Sequence, residues 1–367
     1  MHFSTFLSMA AFTGLATALP QGFSAPTEDG FPNPNPSQLA AIQVIADGQL
    51  SNAPPPAKLA DSSLTAFKLI AFNENFEVAF FSSLMDNITD EVAGYQLEAS
   101  EKKELLNVLQ TVKAQEELHS LNARNTLSRF GAFAPQPCTY KFPTTDFHSA
   151  LALAATFTPV VLGTLQDASQ LLATNGDAGP VRGVASVIGQ EGEQNGWYRS
   201  LLGYKPSEKP FLTTSVAPFA YSVLQNFVDS CPFDQTDKNL INITIFPTIN
   251  VLSGEGGMNV LPQDQTLEFS ADLTTAPAGW QDFQDDCEGL FVTYFTGQNL
   301  PISEPVQEAS FVGNVITFKA NFPFSQNVMQ GLSIASLTTS GNFSGPGSVP
   351  AATLAAPGLI QVNDMLS

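Results

Sequence analysis

The stretch "AQEELHSLNARN", Ala114 to Asn125, sets a carboxylate and an imidazole three residues apart, Glu116 and His119. In a helix that spacing sends both side chains out of one face. The face is otherwise apolar, with Leu105, Leu109, Val112 and Ala123 continuing it at steps of three and four. An acid and an imidazole in an apolar stripe need partners, and a metal ion would satisfy both. Further acids sit on comparable stripes. Glu74 falls in the series Phe67, Ile70, Glu74, Glu77, Phe81, Leu84, and Glu191 in the series Val184, Val187, Glu191, Gln194, Tyr198, Leu201.

Those stripes call for helices. The spacing predicts them over residues 61–85, 100–129, 147–172 and 180–202, with a shorter one in "VAPFAYSVLQNFVDSC". Four long helices joined by short or moderate connections argue a four-helix bundle. A dinuclear iron or manganese bundle uses six ligands: a Glu from each of two helices and Glu-x-x-His from each of the other two. Here the first helix offers Glu74, the second Glu116 and His119, and the fourth Glu191. The third helix presents Leu151, Ala154, Thr158, Val161 and Leu165, with no acid, and Gln194 stands where a second imidazole would be. The reduced set suits one manganese, iron or zinc ion, completed by the Gln194 oxygen or water, or else a metal-free polar cluster held by hydrogen bonds. Glu77, one turn beyond Glu74, reads as a partner behind the ligands. His148 reads as a surface or capping residue, Glu193 as solvated, and Trp197 and Tyr198 as packing.

The remaining chain divides by composition. Residues 1–18 have a short apolar core and end in Ala16-Thr17-Ala18, as a secretory leader does. Residues 19–58 are rich in Pro, Gly, Ser and Asn and read as an extended arm with a short helix at "SQLAAIQVIADG". The bundle is assigned to residues 59–233. From 234 to 345, segments such as "NLINITIFPTINVL", "QTLEFSADLT", "GLFVTYFTG" and "GNVITFKANF" are short, β-branched and aromatic, the pattern of an antiparallel β-sandwich. Residues 346–367 read as a loose tail. The fold class is thus α+β multidomain, a helical bundle followed by a β-sandwich.

Of 367 residues, 43% are hydrophobic and only 13% charged, with 14 basic against 34 acidic side chains for a net charge of −20. An acidic chain without Lys/Arg runs is unsuited to nucleic acid or anionic membranes. The apolar run from Ser149 to Leu165 reads as a buried bundle helix rather than a membrane span. Sequons at Asn87, Asn242 and Asn342 agree with secretion. Three cysteines, Cys138, Cys231 and Cys287, suggest one disulfide and one thiol, with three pairings open. Asp285, Asp286 and Glu288 lack EF-hand spacing and read as an acidic turn. There is no nucleophile elbow, phosphate-binding glycine loop or cysteine-rich zinc pattern, and only His119 and His148 lie beyond the leader.

Over about residues 60–235 the sequence resembles the fungal secreted ferritin-like proteins of the late sexual development and stress-response types, relatives of the plant desiccation-related proteins. The resemblance is carried by "LTAFKLIAFNENFEVAFFSSLM", "AQEELHSLNARN", "ASVIGQEGEQNGWYRSLLG" and "PFAYSVLQNFVDSCP". It implies a ferritin-like bundle whose metal ligands would be Glu74, Glu116, His119 and Glu191, with Thr158 at the third-helix Glu position and Gln194 at the second His. It further implies that Cys138 and Cys231 pair. The function expected is that of a secreted protein of development or stress response, structural or protective at the cell wall or matrix, with a degenerate metal site and no strong catalytic activity. The alternative is a manganese- or iron-dependent oxidase or peroxide-handling protein built on the same four residues.

Overall fold

The computed structural model describes residues 22–254 and 258–366, so the expected leader at 1–18 lies outside the described residues. The arm begins with a two-residue strand, β1 (Phe23–Ser24), and carries helix α1 (Pro36–Ile45). Asn35 caps α1: its side chain accepts from the amides of Ser37 and Gln38 while Gln38 reaches back to the Asn35 amide. Ile42 and Ala46 then bury against Ala114, Leu118 and Leu121 of the bundle.

Four long helices follow. They are α2 (Asp61–Thr89), α3 (Ala99–Arg129), α4 (Phe147–Thr174) and α5 (Val181–Leu201), with the short strand β2 (Thr139–Tyr140) between α3 and α4. Helix α6 (Ala217–Gln225) and strand β3 (Val228–Ser230) close the helical half. Helix α2 is buried nearly all round because Phe72, Phe76, Phe80 and Phe81 point apolar bulk in several directions. Phe76 meets Phe157 of α4 edge to face, centroids 5.1 Å apart. The start of α2 has no cap of its own. Asp177, in the α4–α5 connection, supplies one by accepting from the Ala60 amide at 2.9 Å and the Ser63 hydroxyl at 2.6 Å. Helix α4 is long and apolar enough to cross a membrane, and 78% of its most apolar window is buried inside the protein. Strands β1, β2 and β3 pair antiparallel, and the Cys138–Cys231 disulfide brackets that sheet. Cys287 carries a free thiol.

The remaining strands are β4 (Asn250–Val251), β5 (Gln265–Asp272), β6 (Phe291–Thr296), β7 (Ile302–Pro305), β8 (Gln307–Val312), β9 (Val315–Phe322), β10 (Gly331–Thr338) and β11 (Thr353–Val362). They form two antiparallel four-stranded sheets, ordered β11-β10-β6-β7 and β4-β5-β9-β8. Leu267, Phe269, Ile316 and Phe318 of one sheet face Val292, Tyr294, Leu337 and Ile360 of the other.

Two expectations change here. Residues 346–367 are not a loose tail: Thr353–Val362 is a strand paired along β10 and buried at nine of its ten positions. Its Pro357 and Gly358 imitate a loop, but both faces of the strand are covered, and such strands lose the alternating pattern. Ile360 and Val362 enter the sandwich core, while Ala356 enters the helical core with Leu332, Ile334 and Phe295. Second, "NLINITIFPTINVL" is irregular until β4, and Ile241, Ile243 and Phe246 pack in the helical core rather than the sandwich. Phe219 of α6 stacks on Phe295 of β6 at 5.4 Å, so the two halves share a continuous apolar interior.

Candidate metal centre

Three helices deliver the four candidate ligands. Glu74 comes from the middle of α2, Glu116 and His119 from α3, and Glu191 from the middle of α5. Each helix is packed along most of its length, so its interior positions are fixed in depth and rotation. The three carboxylates have no exposed surface, and the His119 side chain keeps 15%. One donor atom from each residue lies within 4.8 Å of the other three.

His119 Nδ1 sits 2.8 Å from Glu116 Oε2 and 3.5 Å from both Glu74 Oε2 and Glu191 Oε1. The first distance is a hydrogen bond; the other two are too long for a well-formed one. Among the described residues, both oxygens of Glu74 and both of Glu191 find no hydrogen-bond donor. Burial pushes Glu74 up to about 7, opposed by His119 and reinforced by Glu116. Burial and the neighbouring Glu74 and Glu116 hold Glu191 well above the ordinary carboxyl range. For His119, burial works downward but the carboxylates of Glu116 and Glu74 outweigh it, so the imidazole stays protonated well above its usual range.

The residues at the altered positions have settled into other work. Gln194 donates its amide to Glu116 Oε1 at 2.8 Å and to Gln115 Oε1 at 3.1 Å, and its own oxygen accepts from the Tyr198 hydroxyl at 3.3 Å. Its oxygen is therefore turned away from the cluster, contrary to the expectation that it would complete a coordination sphere. Thr158 is buried within α4 and brings no carboxylate. Glu77 is buried one turn beyond Glu74, accepts from Asn73 at 3.3 Å and is raised by burial and then by Glu116, Glu191 and Glu74. It lies outside the group of four. His148 and Glu193 are exposed, as are Asp285, Asp286 and Glu288, and Tyr198 is buried packing with a hydroxyl that steadies Gln194.

Gln115 was not legible as a site residue. It accepts from Gln190 and Gln194 of α5 and donates to the Ala46 carbonyl at the end of α1. Nothing in its local spacing marks it, because its role depends on which elements meet there. The disulfide joins Cys138 to Cys231. Of the sequons, Asn242 and Asn342 are exposed and Asn87 is half-buried in the last turn of α2.

Residues 64–204 match the model of the family described as the ferritin-like domain. The helical half carries a ferritin-like domain. All four converging residues fall inside the matched span. No curated protein matches the chain.

The donor set of this ferritin-like domain fits a cation. Carboxylate oxygen and imidazole nitrogen bind transition metals at about 2.1 Å, so opposite donors around one ion lie about 4 Å apart. A spread of 4.8 Å needs only slight contraction to match. The four oxygens without hydrogen-bond donors supply the physical motive, since a buried carboxylate needs donors, a proton or a cation to offset its lost hydration.

Proposed function

We propose that the ferritin-like domain holds one divalent transition-metal ion, manganese or iron, on Glu74, Glu116, His119 and Glu191. The observation that carries this is the pair of fully buried carboxylates, Glu74 and Glu191, whose four oxygens lack donors. A single cation satisfies them together, and an oxygen-rich set with one imidazole suits these metals. One ion rather than two follows from Thr158, which has no carboxylate, and from Gln194, whose oxygen faces Tyr198. Bound there, the ion would supply Lewis-acid or one-electron chemistry. Within this chain, Gln194 holds Glu116 Oε1 so that Oε2 faces His119, and His119 lies between all three acids.

The protein's role, in this reading, is structural or protective outside the cell, at a fungal wall or matrix during development or stress. The support is the leader-like pattern of residues 1–18 in the sequence, the Cys138–Cys231 disulfide and the sequence resemblance. An oxidase or peroxide-handling role would use the same four residues.

A metal-free cluster is the second reading. It is favoured by the Gln194 bond to Glu116 and by a Glu74 carboxyl titrating near 7, which lets protons do the work of a cation. Elemental analysis of the full chain, purified without chelator, separates the two. The metal reading expects about one ion per chain, abolished by Glu116→Ala. Essentially no metal in the wild type overturns it. Peroxide consumption by the loaded protein, set against Glu116→Ala, decides between a protective ion and a catalytic one.

A further inference from the structure

A cavity of about 370 Å³ opens between α2, α4, the start of α6 and residues 242–244. That volume lies within the range of small-molecule pockets, about 300–1,000 Å³. Leu69, Ile70 and Thr164 line it, and the same three residues also line a deeper void of about 20 Å³. Asn73, Glu74, Val161, Leu165 and Ala220 complete the wall of the void. Thr164 donates its hydroxyl back to the Val160 carbonyl at 2.7 Å, so its donor is used up within its own helix. Glu74, which lines the void, has neither oxygen hydrogen-bonded, as is also true of Glu191.

We propose that this cavity and void form the route by which a small uncharged molecule, the size of dioxygen or hydrogen peroxide, reaches the Glu74 side of the cluster. As a supply line to a metal ion it rests on the reading above. Size sets the first limit, because the void holds about one water-sized molecule. Charge sets the second. Asp61 and Asp167 line the outer cavity, Glu74 lines the void, and the chain carries a net charge of −20, so anions are repelled. Cations would be drawn to the mouth, but the apolar void would strip their hydration, a cost that a neutral molecule does not bear.

Two measurements on the full chain test the route. The first needs no metal: crystals pressurised with xenon, which enters dry apolar cavities. Xenon is expected beside Leu69, Thr164 and Val161 in the wild type and absent there in Ala220→Val, whose added methyl groups fill the void. No xenon in the wild type overturns the proposal, whatever the metal content. The second follows nitric oxide, a neutral diatomic probe, binding to protein loaded with ferrous iron. Ala220→Val is expected to slow association about tenfold, the scale at which overpacking raises a barrier. Val161→Ala is expected to speed it. Unchanged rates in both variants, with folding and iron content retained, overturn the route. A chain that takes xenon but no iron overturns the metal reading and leaves the passage standing.

Discussion

Gln194 donates to Glu116 Oε1 at 2.8 Å, placing a neutral amide on the ligand that also bonds His119. An imidazole at that position could serve a second metal ion; the amide instead fixes one carboxylate. Gln194→Leu removes the donor and leaves Glu116 Oε1 buried without it. The expected loss is about 1–3 kcal/mol for an unsatisfied buried acceptor, read by urea denaturation of the metal-free protein. Loading with manganese should shrink that loss, because the cation also stabilises the charged carboxylate. An equal loss in both forms would mean that no ion sits beside Glu116.

The metal-free protein should lose stability as pH rises. Glu74 is raised from 4.5 to about 7, Glu191 well above 4.5 and His119 well above 6.5. All three favour their protonated forms in the fold. Their contribution is fully present below the ordinary pKa and is lost as pH climbs through the raised one. For Glu74 alone a shift of this size corresponds to about 3 kcal/mol between pH 4.5 and pH 7. Carboxyls held low by hydrogen bonds, such as Asp146 at the start of α4, act only at more acid pH. Thermal melting should therefore show a lower Tm at about pH 8 than at about pH 5, a slope that Glu74→Gln flattens. Manganese should flatten it too, since the ion takes the place of the protons.

The bundle and the sandwich are locked by a buried charged cluster. Arg199 of α5 meets Glu208 at 3.2 Å and Asn363 at 2.8 Å, while Lys209 bonds the Leu332 carbonyl of β10 at 2.8 Å. Gly331, at φ +68°, lets the backbone turn against Glu208, where a Cβ would come within 2.8 Å of the carboxylate. Glu208→Ala strands Arg199 without its carboxylate and should cost about 3–5 kcal/mol in denaturant unfolding. Glu208→Gln, which keeps the volume and one acceptor, should cost less. Indistinguishable losses would show that the charge alone, and neither the volume nor the remaining acceptor, holds the junction.

The helices were legible because each carries a long apolar stripe, and a polar residue on such a stripe has to face the interior. That is why Glu74, Glu116, His119 and Glu191 could be placed on core faces before any packing was known. Gln115 could not, since its partners Gln190 and Ala46 come from elements whose meeting only the fold decides. "NLINITIF" has the β-branched content of a strand, yet Ile241, Ile243 and Phe246 belong to the helical core. Strand propensity there reports fitness for burial rather than for a sheet. The last strand failed for the opposite reason, because Pro357 and Gly358 mask a segment covered on both faces.

That strand gives the sharpest test of the architecture. A chain ending at residue 350 loses all of β11, leaving β10 with an unpaired edge and removing Leu354, Ala355, Ile360 and Val362 from the sandwich core. Each buried aliphatic side chain contributes about 1.5–3 kcal/mol, so the sum rivals the whole stability of an ordinary domain, about 5–15 kcal/mol. The truncated protein should be insoluble, or show no cooperative melt of its sheet signal by circular dichroism. A chain ending at residue 362 keeps the strand and loses the Arg199–Asn363 bond and the exposed Lys205–Asp364 pair. The exposed ion pair contributes about 0–1 kcal/mol and the bond from the charged Arg199 about 1.5–3 kcal/mol, so this variant should still fold, with a clear drop in Tm. A protein ending at 350 that melts like the full chain would overturn the placement of Thr353–Val362 between the two halves.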